Sequence, residues 1–298
     1  MLLVLALLFA CCSIFVENFL SVVNLRGLAL AVSTIGMISC TMMLCLAAGD
    51  FDLSVGSVVA FSGVLGAVVM NMTNSVTAGI TVALASGALI GFVNGVFVAR
   101  VGINALITTL ATMQIVRGLG FIASDGRAIG IRTPAFFDLG NTAILGVPVP
   151  VLLTIACFVI FGILLNNTIF GRNALAIGGN KEAAHLAGVP VVRIKVLIFT
   201  LQGLVASAAG LVLSARMTSG QPNTSLGLEL EVISACVLGG VSLSGGVARI
   251  GFVIAGVLIM GVVQNAMNLL NIPPFYQYVA RGIILLVAVM LDRLKQRS

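Results

Sequence analysis

Gly49-Asp-Phe-Asp-Leu-Ser-Val-Gly-Ser57 and Leu228-Glu-Leu-Glu-Val-Ile-Ser-Ala235 each place two acids at i and i+2 beside a run rich in small residues. Asp50 aligns with Glu229, and Asp52 with Glu231. The correspondence continues downstream: Ile90-Gly-Phe-Val-Asn94 lines up with Met260-Gly-Val-Val-Gln264, and Gln114-Ile-Val-Arg-Gly118 with Gln277-Tyr-Val-Ala-Arg-Gly282. Three matches in the same order make the segment at about 25–123 and the segment at about 194–292 internal repeats of four apolar runs each.

The composition says where those runs reside. Of 298 residues, 60% are hydrophobic and 8% charged, with a mean hydropathy of +1.21. Soluble domains carry about a quarter charged residues, so a soluble enzyme, a disordered chain and a fibrous protein are excluded. Apolar runs fall at about 1–16, 25–48, 53–70, 77–99, 103–123, 148–166, 194–215, 231–243, 250–268 and 276–292. A bilayer span takes roughly 20 apolar residues, so the expectation is an all-α polytopic membrane protein with about ten helices, forming one transmembrane domain over 1–298. The run at 231–243 is too short to cross alone and reads as a half-helix or a tilted element. The first run lacks a basic lead and a small-residue cleavage site, and reads as a span rather than a signal peptide.

Small residues and cysteines fit the same picture. Thirty-four glycines include Gly87-x-x-x-Gly91-x-x-x-Gly95, the spacing that lets membrane helices approach closely. The six cysteines lie in apolar runs and read as small buried hydrophobes. A single histidine, His185, makes an imidazole metal site unexpected, and no cofactor is implied.

Lys and Arg set the orientation. With the N-terminus cytoplasmic and every run crossing, the inside holds Arg100, Arg172, Lys181, Arg193, Lys195, Arg249, Arg293, Lys295 and Arg297. The outside holds Arg26, Arg127, Arg132 and Arg216. Nine against four places both termini in the cytoplasm. The first acid pair then faces inward and the second outward, so the repeats are inverted, the architecture of alternating-access transporters. The +6 net charge reads as positive-inside topology and contact with anionic lipid, not as nucleic-acid binding.

Charged and polar groups in such a chain need a reason. Asp50, Asp52, Ser54, Glu229 and Glu231 either cap broken-helix starts or frame a translocation path. Arg117 and Arg281 either snorkel, pair with an acid, or line a route for a hydroxylated solute. Asn104, Thr108 and Thr112 share a helix face, as interhelical hydrogen-bonding groups or as lining of that route. The segment at about 167–193 is polar enough to leave the bilayer. Within it, Asn180 reads as an N-cap, Glu182 as a first-turn acid and Gly188 as a stop before Pro190. A helix of about two turns is poorly stable alone and suits docking into a groove of another protein.

Glu182-Ala183-Ala184-x-x-x-Gly188 resembles the EAA loop of the permease subunits of bacterial ABC importers. Asp52-Leu-Ser-Val-Gly-Ser57 with Gly239-Gly240-Val-Ser-Leu-Ser-Gly245-Gly246 is similar to the ribose-type sugar permeases, which share the branched-chain amino acid permease fold. Asn104-Ala-Leu-Ile-Thr-Thr-Leu-Ala-Thr-Met-Gln-Ile-Val-Arg117 and Arg216-Met-Thr-Ser-Gly-Gln-Pro222 resemble permeases of the L-arabinose type. The resemblance spans essentially the whole chain. It implies a non-enzymatic permease of the bacterial inner membrane that imports a pentose. It also implies a homodimer, cytoplasmic ATP-binding subunits and a periplasmic sugar-binding protein. The coupling helix would carry Gly179, Asn180, Glu182, Ala183, Ala184 and Gly188. The chain has no P-loop string, so the energy must come from a partner. An ion-coupled secondary sugar carrier working through the acid pairs is the alternative.

Overall fold

The computed structural model describes residues 1–295, with side chains as far as Met290. The basic side chains of Arg293, Lys295 and Arg297 therefore lie outside the described residues. The chain is all-α apart from two-residue β-bridges. Its helices follow the apolar runs: α1 (Leu2–Phe15), α2 (Val22–Ala47), α3 (Val55–Thr73), α4 (Val76–Val96) and α5 (Ala105–Ser124). A π-helical turn, Phe97–Val101, extends α4. After a short α6 (Asp138–Asn141) come α7 (Val149–Asn167), α8 (Ile169–Gly179) and α9 (Lys181–Leu186). The last group is α10 (Val191–Met217), α11 (Leu228–Leu238), α12 (Ile250–Leu269) and α13 (Pro274–Lys295).

Seven of these, α2 to α5, α7, α10 and α12, are long and apolar enough to cross a membrane. Leu2–Phe15 and Pro274–Met290 are shorter apolar helices. At 11 residues, α11 rises about 16 Å, roughly half the hydrocarbon thickness, as the brevity of its apolar run requires.

The core is organised by α2 and α10. Every residue of α2 from Val32 onward is buried, and α10 buries side chains around its whole circumference. A helix apolar all round belongs inside a bundle, with neighbours on every side. The two helices touch each other but divide the remaining contacts: α10 packs along α3 and α4, whereas α2 packs along α11 and α12. Around this centre, α5 lies on α3, α13 on α11, α7 on α2 and α1 on α12.

Small residues let the backbones meet. Gly87, Gly91 and Gly95 all face α10, against Gly203 and Ser207, Phe199 and Thr200, and Val196 respectively. A side chain at Gly91 would run into the Phe199 carbonyl. The glycine spacing is thus a packing stripe, with Ser207 Oγ adding an interhelical hydrogen bond to the Ala83 carbonyl at 2.6 Å.

The stretch between α5 and α7 closes one end of the bundle. β1 (Ile129–Gly130) pairs antiparallel with β4 (Ser219–Gly220), just beyond the end of α10, and a hairpin of β2 (Ala143–Ile144) and β3 (Val147–Pro148) leads into α7. Gly140 lies against the backbone of Ala215 and Arg216. Asn141 Nδ2 donates to the Ala215 carbonyl at 3.3 Å, beside the Thr218 N–H that caps the end of α10 on the same carbonyl.

Candidate functional site

The first acid pair divides into two separate arrangements. Helix α2 stops in a Schellman turn: Gly49, at φ +78°, donates to the Leu46 carbonyl and Asp50 N–H to Cys45. That turn aims the Asp50 carboxylate at Lys195 on α10, with Oδ2 and Nζ 2.8 Å apart and both side chains about nine-tenths buried. Asp52 faces the other way. Its Oδ1 accepts from Ser54 N–H at 2.8 Å and Ser54 Oγ at 2.6 Å, an Asx turn that leads into α3. Ser54 Oγ in turn accepts from Asn94 Nδ2 at 3.1 Å, and Asn94 Oδ1 accepts from Thr112 Oγ1 at 2.6 Å. Asp52, Ser54 and Asn94, all buried, and the half-buried Thr112 thus form one polar chain that ties the start of α3 to α4 and α5.

Asn104 and Thr108 are not part of it. Asn104 caps α5 by accepting from Leu106 and Ile107 N–H, and Thr108 Oγ1 donates back to the Asn104 carbonyl at 3.0 Å. Of the polar face read on α5, Thr112 alone bonds across helices.

The second acid pair sits at the start of α11. Glu231 forms an ion pair with Arg281 on α13, whose guanidinium also lies 5.4 Å from the centre of the Tyr278 ring. Glu229 rests against Gly56 in the first turn of α3, so the acid-bearing segments of the two halves meet there. Arg117 pairs with no carboxylate directly. Its Nη1 donates to the carbonyls of Pro222 and Thr224, both at 2.8 Å, and so clamps α5 to the turns that precede α11.

The segment at 167–193 is a pair of helices. Thr168 caps α8 by accepting from Gly171 N–H at 3.2 Å, and Asn180 caps α9 by accepting from Ala183 N–H at 2.9 Å. Helix α9 ends in a Schellman turn in which Gly188, at φ +83°, donates to His185 and Val189 N–H to Ala184. Ala184 is buried beneath the helix, whereas Glu182, Ala183 and Leu186 are exposed, Leu186 to 87%. The base of the pair is tightly seated: Gly178 meets the Ala47 carbonyl at the end of α2 and the backbone of Gly245 and Gly246. Gly246 N–H donates to that same Ala47 carbonyl at 2.9 Å. Sequence reading missed Lys195 as an ion-pair partner and the Gly178 contact, because both join segments remote in the chain.

Among the described residues no group of three or more His, Cys, Asp or Glu is placed to hold a metal ion. Comparison with known proteins matches residues 24–289 to the family described as branched-chain amino acid transport system / permease component. The L-arabinose transport system permease protein of Escherichia coli (strain K12) is 61% identical over 298 residues, covering 100% of this chain and 91% of the relative. The L-arabinose ABC transporter permease protein of Azospirillum brasilense is 55% identical, covering 98% of this chain and 86% of its own length. The ribose import permease protein of Bacillus subtilis (strain 168) is 40% identical, covering 95% and 88%. No solved structure matches the chain. With the family pattern running through nearly the whole helical bundle, the chain belongs to the branched-chain amino acid transport system / permease component family.

Proposed function

We propose that this chain is the membrane-spanning permease of an ATP-driven importer that carries a pentose, L-arabinose, across the bacterial inner membrane. The observation that carries the reading is α9: a capped helix with an exposed Leu186, set on a base that contacts the ends of α2 and α8 and the 239–246 loop. A helix of 6 residues has little stability of its own, and its apolar tip suits a groove on a cytoplasmic ATP-binding subunit. Identity of 61% over 298 residues to an L-arabinose permease supports the substrate.

In this reading Gly179, Asn180, Glu182, Ala183, Ala184 and Gly188 form the coupling element, both termini face the cytoplasm, and two copies of the chain make the pathway. A periplasmic sugar-binding protein delivers the solute. The inverted repeats 25–123 and 194–292 are supported by the exchange of first helices, α10 against α3 and α4, and α2 against α11 and α12. Such interlocking halves would move as rigid bodies when the docked helices are displaced. Asp50, Asp52, Ser54, Asn104, Thr108, Thr112 and Arg117 then hold helix starts and segment contacts in place, and the Glu229–Glu231–Arg281 region borders the path.

The test is uptake of radiolabelled L-arabinose into proteoliposomes holding the chain with its ATP-binding partner and loaded binding protein. Uptake that needs ATP and both partners is expected. Uptake by this chain alone under a proton or sodium gradient would overturn the reading in favour of a secondary carrier.

A further inference from the structure

Helices α2, α7 and α12 enclose a groove of about 450 Å³, walled by Leu25, Val32, Ile155, Phe158, Ile254 and Leu258 with their neighbours. Each of the three helices is long and apolar enough to cross a membrane, and Ile155 and Val159 on the rim are more than half exposed. The groove therefore opens on hydrocarbon. Two hydroxyls reach it, and both protons are already used. Ser33 Oγ donates to the Leu30 carbonyl at 2.7 Å, and Thr154 Oγ1 to the carbonyls of Pro150 and Ser33 at 2.8 and 3.0 Å. Such a lining suits an apolar occupant and offers a polar one little.

One end of the groove adjoins a second hollow of about 460 Å³, lined by Leu2, Asn166, Arg249, Ile250, Gly251 and Phe252. Ile250, seated against Gly162 of α7, lines both. Arg249 is exposed, and among the described residues it forms no ion pair. Its guanidinium stands 5.8 Å from the centre of the Phe252 ring, which holds it beside the hollow. The Asn166 amide, near the end of α7, adds a second donor. From Val151 to Gly162, α7 rises about 16 Å along the groove, close to the ~15 Å of hydrocarbon in one leaflet. A free phosphate would have no use for the apolar run. An apolar helix of a second copy would leave Arg249 without a counter-charge. A phosphodiester with an acyl chain attached satisfies both ends.

We infer that an anionic phospholipid binds here, its phosphate on Arg249 and Asn166 and one acyl chain between α2, α7 and α12. The inference goes beyond the import reading and needs only that these helices span the membrane. By the basic-residue count Arg249 lies at the cytoplasmic leaflet, so the lipid enters from that side. Its chain fills the space between α7 and the central helix α2.

Native mass spectrometry of the full chain, released from neutral detergent, counts bound lipid at matched concentrations of phosphatidylglycerol and phosphatidylcholine. Wild type is expected to retain phosphatidylglycerol about fivefold better, the worth of one basic residue facing an anionic headgroup. Arg249→Gln should remove that preference. Arg172→Gln, at an exposed position of α8 that lines neither hollow, should keep it. Val159→Phe narrows the groove at its exposed rim and should weaken retention of both lipids roughly tenfold, as for about two methylenes left unburied. Equal retention of the two lipids by wild type would overturn the site, as would a preference that survives Arg249→Gln or falls equally in Arg172→Gln. Inorganic phosphate alone should leave the thermal unfolding midpoint unchanged. Stabilisation by phosphate equal to that by phosphatidylglycerol would assign Arg249 to a free anion and overturn the lipid. A dimer that Val159→Phe splits without change in lipid retention would make the groove a contact between copies, and overturn it too. If Val159→Phe fails to accumulate in membranes, the comparison of Arg249→Gln with Arg172→Gln decides.

Discussion

Asp50 Oδ2 and Lys195 Nζ lie 2.8 Å apart, joining the end of α2 to the first turns of α10. The two helices are the central pair of the bundle, and each packs on elements of the opposite half. Three residues from Asp50, the Ala47 carbonyl receives Gly246 N–H and meets Gly178 at the base of α8. The ion pair therefore stands beside the contact through which displacement of α8 and α9 would reach the core.

Breaking this pair from one side should be costly. Lys195→Met leaves a carboxylate about nine-tenths buried without its counter-charge, and such losses run to about 3–5 kcal/mol. The expected outcome is poor accumulation in membranes and early unfolding in detergent. The double variant Asp50→Leu/Lys195→Met removes both charges and should recover most of that stability, measured by the midpoint of thermal unfolding. Equal loss in the single and double variants would show that the charges do not act as a pair.

The polar chain from Asp52 to Thr112 makes a second prediction. Asn94 is fully buried and holds both Ser54 and Thr112, as donor to one and acceptor from the other. Asn94→Leu should destabilise by about 1–3 kcal/mol, because the buried Ser54 Oγ and the half-buried Thr112 Oγ1 both lose a partner. Thr112→Val, which removes only one end of the chain, should cost less, about 1 kcal/mol. Thermal unfolding of the purified variants in detergent ranks them.

Helix positions were legible because a bilayer leaves few alternatives: apolar runs bounded by polar residues became α2 to α5, α7, α10 and α12 nearly as drawn. Local caps were legible too, since Asn180 and Gly188 act within four residues of the groups they serve. Helix α8 was not. Gly171, Gly178 and Gly179 lower its intrinsic propensity, and the segment is helical because Ala174 and Ile177 are buried in the main core and Gly178 must approach Ala47 closely. Charge partners were equally hidden. Nothing local tells that Asp50 meets Lys195, or that Arg117 takes the carbonyls of Pro222 and Thr224 instead of an acid.

The glycine stripe of α4 is testable by position. Gly91→Ala puts a Cβ into the Phe199 backbone carbonyl, which cannot move without shifting α10. Overpacking of this kind costs about 1–3 kcal/mol or more, so the variant should accumulate poorly. Gly118→Ala on α5, where a Cβ meets nothing within 4 Å, should gain slightly from the better helix propensity of alanine. Membrane levels and detergent unfolding of the two variants, made side by side, separate a packing role from a general intolerance of side chains at glycine.

Coupling gives the last prediction. Leu186 is 87% exposed and Glu182 lies in the exposed first turn, so neither Leu186→Asp nor Glu182→Ala removes a core contact. Both variants should fold and accumulate like wild type, with unfolding midpoints changed by little. If α9 docks on the ATP-binding subunit, Leu186→Asp places a charge in an apolar groove, and a loss of about 1–3 kcal/mol in association corresponds to roughly five- to 150-fold weaker binding. Gly188→Val tests the turn that fixes α9: at φ +83° a β-branched residue is strained by about 1–2 kcal/mol, so the helix should fray while the bundle stays intact. The measurements are co-purification of the ATP-binding subunit and ATP-driven uptake at matched membrane levels. Wild-type co-purification and uptake in Leu186→Asp would place the docking surface elsewhere on the chain.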